Sequence, residues 1–243
     1  ILNKSKKFVL MNKTVIVVGG GIIGLSIAYK YQLKYPKDNL IVLEKESDIG
    51  LHQSGRNSGV LHCGLYYKPN SLKAKLAVDG IKQMTNFCKL HKIDHDICGK
   101  VVVATNYEEV KALEGLASRG KSNGLEKLKF LTKSELKKRE PFVVSEKSLL
   151  VPQEGIVDYK KVQQTLKQII ISNGGQIKQN EKVVSLKSSN KNVLETLENE
   201  YKFDLLFNCA GLHADRIYTK LTKLKPQIKI IPFRGEYFKF KDN

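Results

Sequence analysis

Residues 14–18, TVIVV, form a β-branched run with no polar alternation, the pattern of a parallel strand buried on both faces. Gly19-Gly20-Gly21-Ile22-Ile23-Gly24 follows without a spacer. Ile23, Ile27, Ala28 and Tyr31 then recur at helical spacing to about Lys34, and Pro36 with the polar Lys37-Asp38-Asn39 closes the helix. Leu40 to Leu43 is a second buried strand that ends on Glu44. The Gly-, Ser-, His- and Asn-rich stretch from Gly50 to Gly64 has no periodicity and reads as a loop. After it, Ser71 caps a long helix that carries Leu72, Leu76, Ile81, Met84 and Phe87 or Cys88 on its apolar side.

The texture changes near Lys92. Residues 101–105 (VVVAT) predict a strand and 107–118 a helix, and Thr132-Lys133-Ser134-Glu135 is a capping box whose helix must stop by Pro141. This is an inserted α+β piece. Asp158 caps a further helix ending at Gly174-Gly175, and strands follow within 176–187 and 193–207. The first pattern returns at Phe203 to Phe207, an apolar strand running into Asn208-Cys209-Ala210-Gly211 and a short helix. Ile228 to Phe240 alternates as another strand, and with nothing after it to pair with, it predicts that the chain is a fragment.

Composition narrows the class. With 243 residues, 41% hydrophobic and 27% charged, the chain has globular values and is neither disordered nor collagen-like. It has no apolar run near the roughly 20 residues a membrane span needs. The net charge of +18 is carried by scattered lysines, and only five of the 42 basic residues are arginines. Bidentate phosphate and base recognition favours arginine, so no nucleic-acid partner is expected. Contact with an anionic membrane surface or an acidic substrate remains open beside a simply lysine-rich composition.

Cys63, Cys88, Cys98 and Cys209 form no CxxC pair, so free thiols in a reducing compartment are expected. That compartment is the cytoplasm, with peripheral contact at the inner membrane as an option, or the mitochondrion in a eukaryote. Residues 1–10 precede Met11 as an extension outside the fold, too short and basic for a complete targeting signal. Cys88, His91, His95 and Cys98 offer soft ligands, but the helix ends near Ile93-Asp94 and leaves no loop to wrap a tetrahedron; no metal is expected.

The chemistry begins at the glycine turn. Gly19 permits the tight turn, Gly21 lets backbone approach a pyrophosphate, Gly24 lets the helix meet the strand, and the helix N-terminus with Ile22 and Ile23 faces the phosphates. Glu44, twenty residues beyond Gly24, accepts from ribose hydroxyls and repels a 2′-phosphate, which argues against NADP. Lys45 follows it. A nicotinamide enzyme continues with regular strand–helix alternation here. This chain instead presents His52-Gln53-Ser54-Gly55-Arg56-Asn57-Ser58-Gly59, donors suited to a diphosphate and ribityl chain, with Ser54, Arg56, Asn57, Ser58 and Gly59 as candidate contacts. FAD is the expected cofactor.

Gly19 to Gly24 with Glu44, HQSGRNSGVLHCGLYYKP at 52–69, NCAGLHAD at 208–215 and RGEY at 234–237 together resemble the D-amino-acid-oxidase-like FAD-dependent oxidoreductases. The resemblance implies an α/β fold: a Rossmann-like FAD-binding domain (11–91 and 150–222) with an interleaved α+β substrate domain (92–149 and 223–243), its C-terminal part missing. It also implies further FAD contacts at Val183 and at Ala210 and Gly211. The implied reaction is oxidation of a 2-hydroxy dicarboxylate to the 2-oxo acid by hydride transfer to the flavin, with oxygen, a quinone or an electron-transfer protein as acceptor. Related glycerol-3-phosphate dehydrogenases place an arginine where this chain has Tyr66, which shifts weight toward a carboxylate substrate. His62 is the first candidate proton acceptor and His213 the second. Arg234 and Lys68 are candidate carboxylate clamps, and Tyr66 and Tyr67 candidate orienting groups. Amine or amino-acid oxidation of the glycine or sarcosine type, glycerol-3-phosphate oxidation and a non-catalytic nucleotide-binding remnant are the competing readings.

Overall fold

The computed structural model describes residues 12–187 and 189–238. The extension expected over 1–10 lies outside the described residues. Along the chain come β1 (Thr14–Val18), α1 (Ile22–Lys34), β2 (Asn39–Leu43), β3 (Val60–Leu61), α2 (Leu72–Leu90), β4 (His95–Asp96) and β5 (Lys100–Ala104). Next are α3 (Tyr107–Ser122), β6 (Lys129–Leu131), α4 (Lys133–Arg139), β7 (Lys147–Val151), β8 (Gly155–Val157) and α5 (Tyr159–Ser172). Strands β9 (Gln176–Lys178), β10 (Val183–Lys187), β11 (Asn190–Thr196), β12 (Glu200–Lys202) and β13 (Leu205–Asn208) follow, then a 3₁₀ turn at Gly211–His213 and α6 (Ala214–Thr222).

Two compact units emerge from the packing: residues up to Arg56 together with Gln163 onward, and Asn57–Val162. In the first, four parallel strands are ordered β13-β1-β2-β9. Central β1 pairs Val18 with Leu43 on one side and with Asn208 on the other. Its TVIVV run is apolar throughout because the strand is covered on both faces; Val15, Ile16 and Val17 are all buried. A small antiparallel sheet, β10-β11-β12, contributes Val183 and Leu194 to the core around Ile16, Val18, Ile41 and Leu43.

The inward face of α1 keeps Ala28 of the expected side, with Ile27 and Tyr31 half-buried, but is rotated away from Ile23. Gly24, Leu25, Ala28 and Gln32 are buried, whereas Ile23 is 63% exposed. Close approach of Gly24 to Gly19 in the turn after β1 constrains the helix's rotation, and Gln32 tolerates burial because its Nε2 donates to Ile170 O and Asn173 O at 3.2 and 2.9 Å. On α2, likewise, the buried residues are Ala74 and Cys88, while Leu72 and Leu76 are exposed.

The second unit holds two three-stranded antiparallel sheets, β3-β8-β4 and β5-β7-β6. Cys63, Leu65, Ala104, Leu113, Ala117, Leu125, Leu149 and Val151 form its core. Local capping signals set its helices. Ser71 Oγ accepts from Ala74 N, and at Thr132 and Glu135 both bonds of the capping box form. The strand expected from Ile228 is absent over 228–238: no described strand runs alongside to pair with it, and Ile228, Ile231 and Phe233 are exposed.

Candidate functional site

The first unit builds a cradle at the C-terminal end of β1. Gly19 has φ +108° and donates its N–H to Leu43 O at 2.8 Å, and Cys209 N donates to Val18 O at 2.8 Å. These bonds bring three chain segments together where the strands end. A Cβ on Gly19 would lie 2.4 Å from Cys209 O, and one on Gly24 would lie 1.9 Å from Gly19 O. No side chain fits at either position. Gly21 is the N-cap of α1, and Ser54 Oγ accepts from Ile22 N at 2.9 Å beside it. The first turn of α1 has no acidic residue, so no side-chain charge within that turn offsets the positive end of the helix dipole.

Glu44 closes the cradle. Only 7% exposed, it accepts from Gly20 N through Oε2 at 2.7 Å and from Glu46 N through Oε1 at 3.0 Å. Its backbone is held between Lys178 O and Glu181 N. The carboxylate therefore faces the glycine turn, and each oxygen keeps a lone pair for a hydroxyl donor. Lys45 pairs with Glu46, and His52 Nε2 lies 2.9 Å from the same oxygen. The hydrogen bond from Lys45 and then that from His52 hold the Glu46 carboxyl down at about 2.

His213 sits at the end of the 3₁₀ turn with its ring edge-on to His52, 6.5 Å between centroids, and its Nδ1 is 3.3 Å from Arg216 Nη1. Burial first, then the charges of Arg216 and Lys45, push its pKa down. Ala210 lies against Gly19, and Gly211 has φ +54°, with Gln53 Oε1 3.7 Å from where a Cβ would sit. Val183 is buried in the core and Arg56 is exposed. Arg234 pairs only loosely with Glu236, at 3.6 Å, and its side chain is 88% exposed.

Other candidates lie in the second unit. Asn57 Oδ1 accepts from Gly59 N, and Ser58 and Lys68 are exposed. Tyr67 lies under Lys73 Nζ, 4.7 Å from its ring centroid. Around His62 the structure assembles a cluster in which sequence reasoning missed two members. Glu154, 1% exposed, approaches Lys100 Nζ at 2.5 Å and His62 Nδ1 at 3.6 Å through Oε2, and it accepts from Cys63 Sγ at 3.5 Å through Oε1. Lys100 Nζ also lies 4.5 Å from the Tyr66 ring centroid. Burial pulls the Lys100 pKa down, but the hydrogen bond and charge of Glu154 outweigh it and the net shift is upward. Burial, then the Glu154 charge, push the Cys63 thiol up to about 12. An acid in the turn VPQEGIVD looks like an exposed loop residue; only the pairing of β3 with β8 reveals it.

Of the four soft ligands between 88 and 98, Cys88 is buried, Cys98 is exposed, and His95 Nδ1 is engaged with Ile93 O. Among the described residues no group of three or more His, Cys, Asp or Glu is placed to hold a metal ion, and no helix is long and apolar enough to cross a membrane.

A parallel sheet with a glycine turn at its switch point, a helix N-terminus free of acids and an inward carboxylate one strand away defines a Rossmann-type dinucleotide-binding protein. Residues 14–243 match the model of the DAO family, FAD dependent oxidoreductases, and the chain belongs to that family. It is 42% identical over 232 residues to L-2-hydroxyglutarate dehydrogenase of Indibacter alkaliphilus, covering 95% of this chain and 58% of that protein. To the mitochondrial L-2-hydroxyglutarate dehydrogenase of Homo sapiens it is 36% identical over 240 residues, with 93% and 52% covered. The chain spans little more than half the length of these relatives. Among solved structures it is similar to dithionite-reduced L-alpha-glycerophosphate oxidase from Mycoplasma pneumoniae with FAD bound, with TM-score 0.74, 28% identity, and 87% of this chain and 57% of that one covered. Glycine oxidase from Geobacillus kaustophilus shares the fold, with TM-score 0.77 and 22% identity over 86% of this chain and 58% of that one.

Proposed function

We propose that the protein containing this chain oxidises L-2-hydroxyglutarate to 2-oxoglutarate with FAD as hydride acceptor. The observation that carries the redox reading is the cradle: glycines at 19 and 24 that admit no side chain, facing an inward Glu44. The choice of substrate is supported by the 35–42% identity to proteins named L-2-hydroxyglutarate dehydrogenase.

The residues present fit an adenine dinucleotide. Gly19, Gly21, Ile22, Ile23 and Gly24 would receive the pyrophosphate at the α1 N-terminus, Glu44 and Lys45 the adenosine ribose, and Ser54, Arg56, Asn57, Ser58 and Gly59 the diphosphate and ribityl chain. Val183, Ala210 and Gly211 complete the set. The functional division is 11–91 with 150–222 for the cofactor and 92–149 with 223–243 for the substrate. When bound, the flavin supplies the acceptor for the hydride that leaves C2. His62 takes the hydroxyl proton as the C2–O bond becomes a carbonyl, with His213 as the second candidate for that role. Arg234 and Lys68 hold the carboxylates, and Tyr66 and Tyr67 orient the carbon chain. The electron acceptor is oxygen, a quinone or an electron-transfer protein. The location is the cytoplasm, with the lysine-rich surface available to the inner membrane, or the mitochondrion in a eukaryote. The likeness to a glycerophosphate oxidase favours glycerol 3-phosphate as the second reading.

The test is anaerobic mixing of the FAD-loaded product of the complete reading frame with L-2-hydroxyglutarate, glycerol 3-phosphate, glycine or sarcosine while the visible flavin absorbance is followed. Rapid bleaching by L-2-hydroxyglutarate alone is expected. Bleaching by one of the others instead would overturn the substrate. A colourless protein whose melting temperature ignores added FAD would leave a non-catalytic nucleotide-binding remnant.

A further inference from the structure

Glu154 is the most deeply buried acid of the second unit, and the fold delivers it to His62 by register. Strand β3 pairs Leu61 with Gly155, so one step further along the ladder sets His62 beside Glu154. The backbone there is tight. Gly99 N donates to Glu154 O at 2.8 Å, a Cβ on Gly155 would lie 2.3 Å from Asp96 O, and Leu61 and Cys63 on either side of His62 are buried. His62 itself has a half-exposed ring. A buried carboxylate is costly unless paired, and Lys100 at 2.5 Å supplies the pairing charge. The buried carboxylate therefore has its counter-ion without the imidazole.

We infer that Glu154 is a positioning residue that holds His62 as the Nδ1–H tautomer and so presents Nε2 as the proton-accepting nitrogen. The inference rests on the proposed role of His62. Which nitrogen of an imidazole carries the proton is set by the partner of the other, and the partner here is an acceptor-only carboxylate. At 3.6 Å the Nδ1–Oε2 contact lies just beyond hydrogen-bond length, and a movement of roughly half an ångström closes it; such bonds commonly tighten when substrate binds. Lys100 has a separate duty: it supplies the counter-charge that lets the carboxylate stay buried beside the ring.

The experiment uses the FAD-loaded product of the complete reading frame with ¹⁵N-labelled histidine, the His62 signals being assigned from a His62→Gln variant. The wild type is expected to show a protonated Nδ1 and an unprotonated Nε2 at neutral pH; the opposite tautomer overturns the inference without recourse to any variant. Two double variants then isolate the acceptor while removing both charges, so that neither leaves an unpaired ion. Lys100→Met with Glu154→Gln keeps an acceptor beside Nδ1 and should keep the wild-type tautomer. Lys100→Met with Glu154→Leu removes it and should shift the proton to Nε2, lowering kcat by a further 10- to 100-fold, the order seen when a histidine's orienting partner is lost, with KM changed less than about threefold. The same tautomer and the same kcat in both double variants would sink the positioning role while leaving His62 as the base. Full activity in His62→Gln would instead remove the base, and the positioning role with it.

Discussion

Replacing Gly24 by alanine puts the cradle's geometry to a direct test. The added methyl carbon would sit 1.9 Å from Gly19 O, whereas real Cβ contacts essentially never fall below 3.0 Å, so roughly 1 Å of backbone movement is forced. That movement acts on a turn held by Gly19 N to Leu43 O at 2.8 Å and Leu25 N to Gly21 O at 3.0 Å. Overpacking of this kind costs about 1–3 kcal/mol, and a weakened turn hydrogen bond adds about 1 kcal/mol, so a loss of roughly 2–4 kcal/mol is expected. At about 2–4 °C per kcal/mol for a chain of roughly this length, Tm should fall by roughly 4–16 °C. Gly115 is the matched control. It lies inside α3 with nothing within 4 Å of a Cβ, and Gly115→Ala should raise stability by about 0.5–1 kcal/mol. The same chemical change thus has opposite signs at the two sites. Thermal melts with and without added FAD, and flavin fluorescence after gel filtration, read both effects. A Gly24→Ala protein that melts at or above the wild-type temperature and keeps its flavin would refute the close approach of Gly24 to Gly19.

Glu44→Ala removes the acceptor for Gly20 N and Glu46 N, and the carboxylate proposed to hold the ribose; with charge-assisted hydrogen bonds worth about 1.5–3 kcal/mol, FAD Kd should rise roughly 10- to 100-fold, and an unchanged Kd by equilibrium dialysis would count against the assignment. Iodoacetamide at mildly alkaline pH should modify exposed Cys98 well before buried Cys63, whose thiol is pushed up to about 12; equal labelling by peptide mass spectrometry would contradict that burial. Burial raises the Glu181 carboxyl, but hydrogen bonds from Thr196, Tyr201 and Asn199 outweigh it and hold it below its ordinary 4.5. A depressed folded pKa contributes stability above the ordinary value and loses it as pH falls through the folded one. Thr196→Val should therefore cost about 1–2 kcal/mol near neutrality, with a gap to wild type that narrows below that value; urea melts at pH 7 and at acid pH with a constant gap would show that Thr196 is not the cause.

Where structure depends on neighbours in sequence, it was legible. The β1–turn–α1 unit, the Ser71 cap and the Thr132–Glu135 capping box each involve groups a few residues apart, and each is found where the residue types put it. What depends on packing was not. The periodicity of Ile23, Ile27, Ala28 and Tyr31 suggested one face of α1; Ala28 is buried, but the close contact of Gly24 with Gly19 turns the helix so that Leu25 and Gln32 are buried with it and Ile23 is exposed. The strand expected from Ile228 needed a neighbour that no local pattern supplies. Glu154 and Lys100 stayed hidden because one sits in a turn and the other opens a strand, more than fifty residues apart, and Glu154 meets His62 and Lys100 only through the pairing of the strands. Glu44 lay between these cases: its position one strand beyond the glycines was readable, but its bonds to Gly20 and Glu46 required the fold.

The partner strand of β1 on one side arrives very late: Thr14 is held by Asp204, 190 residues further along the chain. At about 5–20 residues per second on the ribosome, roughly 10–40 s separate the emergence of these segments. During that interval a strand whose Val15, Ile16 and Val17 are fully buried in the finished fold has one open flank, a template for wrong pairing. Nascent chains stalled before residue 205 should therefore lean on chaperones, and the cofactor can engage only after the last strand of the sheet has left the exit tunnel.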